Sequence, residues 1–413
     1  MKAAQGNPHP LRRNRDFVLL QAGQLLSTLG NQSAFVAYPL LVLATTHSPA
    51  KAGLVGFAGI LPYPLFVLPA GLIADRWDRK RVMIAADLIR AAALGALAAT
   101  LAWGDAPFGF ILAVAFLDGT MFAFFNIAEV GALRAVVPKQ QLPRAAAAEQ
   151  GRYSGVLLGG PPLGGFLFGL GRSLPFLADA ASYAFSLVSV LFMRTPFQEE
   201  RAVPEGRLRE QMREGFTWLW RQPFLRTCAL LFAFTNLGGQ ALYLFVVVAG
   251  RRQGLSPAAI GAVIALYGGL SLIGSLVSPG VQRVLGMRAI LLATLWLGLG
   301  VGAFALEPNV YVLLAGVVPL ALLNPTLNAV IIGYRVAIVP DRLQGRVNSV
   351  ARLLAQVGTP LGPLAAGLLL ATFSLRETDL IMTAWFVAIA LWATLSPSIR
   401  TAPRLGELSE EPV

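Results

Sequence analysis

The sequence predicts an all-α membrane protein in which twelve transmembrane helices form two pseudo-symmetric six-helix bundles. Three observations lead there. Of 413 residues, 56% are hydrophobic and 13% charged, against about 25% charged in an ordinary soluble domain, which excludes a water-soluble globule. Twelve apolar stretches follow one another, each near the roughly 20 residues that cross a bilayer. Finally, with the N-terminus inside, all but Lys51, Arg172, Arg251, Arg252 and Arg376 of the 33 Lys and Arg residues fall in cytoplasmic segments or helix ends. That asymmetry is the positive-inside rule. It explains the net charge of +12 without nucleic acid, while a basic inner surface still attracts anionic lipid.

Apolar runs bounded by charge, Gly or Pro place spans near residues 17–43, 52–74, 82–103, 108–131, 149–170 and 174–194. A second set falls near 225–249, 258–279, 289–306, 309–333, 347–371 and 375–396. The polar, basic start MKAAQGNPHPLRRNRDF precedes an apolar run too long for the core of a cleavable signal peptide, so both termini are expected in the cytoplasm. The domains expected are a bundle at 1–194, a cytoplasmic linker at 195–224, a second bundle at 225–396 and a tail at 397–413. Within the linker, Leu208, Met212, Phe216, Leu219 and Trp220 recur at helical spacing among Arg207, Arg209, Glu210, Arg213 and Glu214. They predict an amphipathic helix lying on the membrane surface or on the bundle.

A single shift superposes Asn126 on Asn328, Pro138 on Pro340, Arg144 on Arg346, Gly160 on Gly362, Pro161 on Pro363 and Gly165 on Gly367. Two halves of the same orientation are parallel repeats, with a cavity expected at their interface near the bilayer midplane.

One cysteine, Cys228, and two histidines, His9 and His47, exclude a disulfide framework, a Cys/His zinc site and most histidine-based catalysis. No catalytic residue, metal or cofactor is therefore expected. A phosphate-binding loop of the Gly-x-x-x-x-Gly-Lys-Ser/Thr type is also missing from the sequence, which argues against primary pumping by this chain alone.

The chemistry-bearing segments start between spans two and three, at Gly71-Leu72-Ile73-Ala74-Asp75-Arg76-Trp77-Asp78-Arg79-Lys80-Arg81. An acid at a helix end followed by a basic turn can break and reform contacts as two halves rock, which makes Gly71, Asp75, Arg76, Arg79 and Lys80 the expected gating loop. This run resembles the loop motif of the major facilitator superfamily, with Asp78 where the family has Gly and Ile73 where it has Leu. The Asp78 variant is similar to a subgroup of exporters related to enterobactin and macrolide efflux permeases. The corresponding stretch of the second half, Gln282 to Arg288, lacks the acid. In span five, Gly160-Pro161-x-x-Gly164-Gly165 lets helices approach closely and resembles the superfamily's antiporter motif, although the leading Gly stands one position off, at 155. Pro340 to Val347 and Leu208 to Pro223 look like the same subgroup. The resemblance implies a secondary transporter working by alternating access.

An ionisable residue deep in a span is a functional candidate. Asp118 lies near the middle of span four, about ten residues in at 1.5 Å each, and is the proton-coupling candidate; the other reading makes it a structural hydrogen-bonding group. Asp87 with Arg90, and Glu129 with Arg134, stand closer to the cytoplasmic ends and read as gate or interfacial ion pairs. Gln24, Thr28 and Asn31 of span one, Asn236, Gln240 and Tyr243 of span seven, and Asn324 and Asn328 of span ten form polar stripes on apolar helices. Facing inward they would line a substrate cavity; facing neighbours they would be packing contacts. With no Arg or Lys read at mid-span, the cavity suits bulky neutral, amphipathic or cationic molecules.

The function expected is a proton-coupled exporter of drugs or siderophores in a bacterial inner membrane, acting as a monomer on a small-molecule substrate and protons. Nutrient uptake, lysophospholipid flipping and a non-transporting sensor are the alternatives.

Overall fold

A computed structural model describes residues 11–197 and 208–401 of the chain. Every regular element among them is helical, as the apolar runs require: in lipid only internal backbone hydrogen bonds satisfy each N–H and C=O. Spans one to six are Arg15–Thr46, Pro49–Ile60 continued by Pro62–Arg76, Arg79–Trp103, Phe108–Val136, Leu142–Leu170 and Leu174–Phe192. The connector helix is Leu208–Arg221. Spans seven to twelve are Pro223–Arg252, Pro257–Val284, Met287–Leu306, Val310–Ile338, Gln344–Val357 continued by Leu361–Thr372, and Leu375–Leu395.

Helix starts are written in local chemistry. Asn14 accepts the Phe17 amide ahead of span one, and Asn309 accepts the Tyr311 amide ahead of span ten. Ser374 and Glu377 form a reciprocal capping box on span twelve, while Pro62, Pro143, Pro175 and Pro223 occupy first turns, where a missing N–H costs nothing. Span two bends at Leu61–Pro62, span nine passes through a tighter 3-10 stretch at Gly298–Gly302, and span eleven breaks at Gly358–Pro360. Among the described residues, ten helices are by length and composition apolar enough to cross a membrane. Span one falls short of that mark because it carries Gln21, Gln24, Asn31 and Gln32, and span five because Gly159, Gly160, Pro161, Pro162, Gly164 and Gly165 dilute its apolar part.

The chain divides into two compact units. One comprises Met1–His47, Ala58–Val203 and Ser256–Ala265; the other comprises Ser48–Phe57, Pro204–Leu255 and Leu266–Val413. Each unit thus includes the first residues of one span whose remainder belongs to the other. In the first unit, Phe17, Leu20, Met83, Phe125, Ala128 and Met193 form a core at the starts of spans one and three and the ends of spans four and six. The second unit's corresponding core joins Phe224, Ile290, Tyr334 and Val347 to Leu219 of the connector helix. That helix sits on the start of span eleven. A Cβ at Gly215 would collide with the Arg346 backbone, and Glu214 pairs with Arg346 and, at 3.6 Å, with Arg342.

Asp16 ties the start of span one to the end of span six. Its carboxylate accepts the amides of Arg194 at 3.1 Å and Thr195 at 2.7 Å, and the Thr195 hydroxyl as well. Burial alone would raise its pKa; these hydrogen bonds outweigh that and hold the carboxyl below its ordinary value. Since folding lowers the pKa, the tie contributes stability while the carboxyl is ionised and loses it as pH falls through the folded value. The melting temperature of Asp16→Asn is therefore expected to lie below wild type at neutral pH, with the gap closing on acidification below about 4. A gap that widened in acid would contradict this role.

Candidate functional site

Span three starts behind Asp78, whose side chain caps it by accepting the amides of Lys80 at 2.8 Å and Arg81 at 3.3 Å. Counting from Arg79 at 1.5 Å per residue, Arg90 stands about 16 Å along the axis. Span four runs the other way, and Asp118 stands about 15 Å from its start at Phe108 by the same rise. The two meet halfway, Arg90 Nε donating to Asp118 Oδ1 at 2.8 Å. Both are buried, at 2% and 7% exposure. Beneath the guanidinium lies the ring of Tyr183 in span six, 3.9 Å from Cζ to the centroid. The Tyr183 hydroxyl accepts from Asn31 Nδ2 of span one at 3.2 Å.

Two more carboxyls complete the cluster. Asp179, one turn before Tyr183 and fully buried, receives the Ser182 hydroxyl at 3.2 Å and lies so close to Gly30 that a Cβ there would strike it. Asp87, also fully buried, lies beside Ser186 of span six. One guanidinium therefore stands among three carboxyls drawn from three spans of a single unit.

Three sequence expectations are corrected here. Arg90 is a mid-depth cation and not a cytoplasmic-end one, and its hydrogen-bonded partner is Asp118 of the neighbouring helix, not Asp87, because the long arginine side chain crosses to span four while the short Asp87 carboxyl stays by span six. Glu129 faces Arg152 at 3.5 Å, not Arg134. Five residues apart on one helix, Glu129 and Arg134 point about 140° away from each other, and Arg134 is exposed. Arg152 also approaches Glu149 at 4.0 Å and donates to the Thr28 hydroxyl at 3.0 Å. The sequence anticipates Asp179 only as a pairing or outer-gate residue near the outer end of span six, and does not anticipate Tyr183. Their spacing of four on one helix face, one polar turn in an apolar span, is the signal that points to them.

In the loop between spans two and three, Arg76 is exposed and Gly71 has open space around it. The Asp75 side chain lies outside the described residues. Arg79 lies across Gly131 of span four and reaches the Phe197 carbonyl at 3.3 Å. Lys80 Nζ donates to the carbonyls of Met193 at 2.8 Å and Leu191 at 3.2 Å, closing the last turn of span six, where cations are favoured.

The Gly-Pro segment is a close-approach surface. A Cβ at Gly160 would strike Gln32, one at Gly164 the backbone of Ser33, and one at Gly165 the Pro257 carbonyl. The Ser33 hydroxyl donates to the carbonyls of Leu29 and, at 3.1 Å, Gly160. The second unit repeats the device: Gly362 meets Leu237 and Gln240 of span seven, and Gly367 meets Pro49 and Gly53. The polar stripes are partly spent on packing. Asn236 donates to the Ala355 carbonyl at 3.0 Å and Asn328 to Asn324, while Gln24 and Tyr38 are buried in the first unit.

Residues 21–295 match the Major Facilitator Superfamily. The chain belongs to that superfamily. It is 29% identical over 416 residues to the multidrug efflux pump Tap of Mycobacterium tuberculosis, covering 94% of each chain. It is 28% identical over 233 residues to macrolide efflux protein A of Streptococcus pyogenes, covering 56% of this chain and 55% of that one. Among solved structures it resembles a bacterial homologue of the human lysosomal transporter Spinster in an inward-facing, unoccupied conformation, with a TM-score of 0.77 at 16% identity, covering 98% of this chain and all of the other. As a superfamily member the chain is a multi-pass membrane transport protein with the twelve-helix architecture, and its substrates are small molecules.

Proposed function

We propose that this chain is a proton-coupled exporter of amphipathic small molecules, drugs or siderophores, that works as a monomer by alternating access in a bacterial inner membrane, with both termini cytoplasmic and no covalent chemistry. The observation that carries the reading is the Arg90–Asp118 pair at mid-depth. One buried cation offsets one carboxylate, so a cluster with three carboxyls in a dehydrated setting is a place to hold and pass protons. Protonation at Asp118 Oδ would release Arg90. Through Tyr183 and Asn31 that release reaches the polar stripe of span one, where a substrate is expected. The efflux relatives favour outward transport over uptake or lipid flipping.

The test is retention of ethidium or a macrolide in cells carrying wild type or Asp118→Asn, with and without a protonophore. Wild type is expected to keep retention low until the protonophore is added, and Asp118→Asn to retain as much as cells lacking the protein. Proton-dependent efflux undiminished in Asp118→Asn would remove this residue from coupling.

A further inference from the structure

In the second unit a cavity of about 380 Å³ opens between the start of span seven and the end of span twelve, lined by Arg226, Thr227, Leu230, Trp392, Ser396 and Ser398 among others. We infer that it seats an anionic phospholipid of the leaflet on the connector's side, with the headgroup phosphate on Arg226. That site lies in the other unit from the proton cluster and does not depend on transport direction.

The order of chemistry along the helices matches a lipid from head to tail. At the head is Arg226, and among the described residues no acidic side chain lines the cavity to neutralise it. Its guanidinium has five N–H donors, of which one reaches the Trp220 carbonyl at 3.4 Å. Its Cζ stands 5.6 Å from the centroid of the Trp220 ring, which holds the cation at the surface. The floor is neutral and polar: Thr227 Oγ1 donates to the Pro223 carbonyl at 2.8 Å and stands 2.9 Å from Ser398 Oγ, itself 2.9 Å from Ser396 Oγ. Turned the other way, this hydroxyl chain ends in a donor at Ser396.

Below the head the surface becomes apolar. Arg226, Leu230 and Phe234 follow one another at four-residue steps, one face of span seven extending about 12 Å into the bilayer. Phe234 packs edge-on against Trp392 at 6.0 Å and Trp385 at 5.6 Å. Phe234 and Trp385 are 39% and 37% exposed, and Leu395 beside the cavity 62%. A cation at the interface over an exposed aromatic track fits a phosphate carrying acyl chains better than a soluble anion, which would gain nothing from the track.

The test compares retention of phosphatidylglycerol and phosphatidylcholine by the full-length protein in native mass spectrometry, together with the thermal stabilisation each lipid gives. Wild type is expected to retain phosphatidylglycerol preferentially and to be stabilised by it. Arg226→Gln should lose about five-fold in that preference, the effect of one interfacial cation, with phosphatidylcholine retention unchanged. Arg400→Gln, an exposed arginine on the same side but outside the lining, should behave as wild type. Equal retention of the two lipids by wild type, or an equal loss in both variants, would overturn the proposal. So would displacement of phosphatidylglycerol by soluble glycerol phosphate, which would make the cavity a free-phosphate site.

Discussion

Arg90→Gln is expected to lower the stability of the protein by about 3–5 kcal/mol, because it leaves the Asp118 carboxylate buried without its cation. Arg90 and Asp118 lie at 2% and 9% side-chain exposure, so water does not replace the lost partner. The double variant Arg90→Gln/Asp118→Asn removes the stranded charge as well as its partner. It should regain much of the loss, giving a coupling energy on the order of 1–3 kcal/mol in a double-mutant cycle. Thermal melts of the four purified proteins in one detergent measure this directly, and strictly additive effects would mean that the two side chains do not act as a pair. Transport should separate from stability: the double variant is expected to fold and still to lack the protonophore-sensitive component of efflux. Tyr183→Phe is the companion variant. It keeps the ring beneath the guanidinium and removes the hydroxyl that accepts from Asn31, so the link from the cluster to span one is cut while the cation–π contact is retained.

The twelve spans were legible because a bilayer imposes length and apolarity on each segment separately, and no knowledge of neighbours is needed to see them. The Gly-Pro repeat was legible for a related reason, since close helix approach demands small residues wherever it occurs. Partners were not legible. Arg90 and Asp118 are 28 positions apart, and only the antiparallel run of spans three and four brings them level. The depth of Arg90 can be counted along span three from Arg79; its partner cannot. The docking of the connector on span eleven likewise depends on Gly215 meeting the Arg346 backbone, a surface match that an amphipathic pattern does not specify. Asp78 reads differently once its geometry is known. Where the superfamily motif has Gly, this chain has a side chain that caps span three, and an Asp immediately before a helix is a signal for that role.

Gly164→Val is expected to be a strongly damaging change in the Gly-Pro segment, and the geometry explains why Gly155 differs. A Cβ at Gly164 would fall inside contact distance of the Ser33 carbonyl and Cα, both backbone atoms of span one that cannot rotate away. The helices must separate, and overpacking of this kind costs about 1–3 kcal/mol. Separation also stretches the Ser33 hydroxyl from the Gly160 carbonyl, now 3.1 Å away, and lifts Asn31 of the same helix from Tyr183. Span one is thus the element through which a packing defect reaches the Arg90–Asp118 cluster, and efflux should fall even in protein that still folds. Gly155→Ala supplies the contrast. Nothing lies within 4 Å of a Cβ at that position, and alanine gains on glycine by about 0.8–1 kcal/mol in helix propensity, so this variant should match or exceed wild-type stability with efflux intact. Equal melting temperatures for the two variants would show that the spacing of spans one and five is not set by the missing side chain at Gly164.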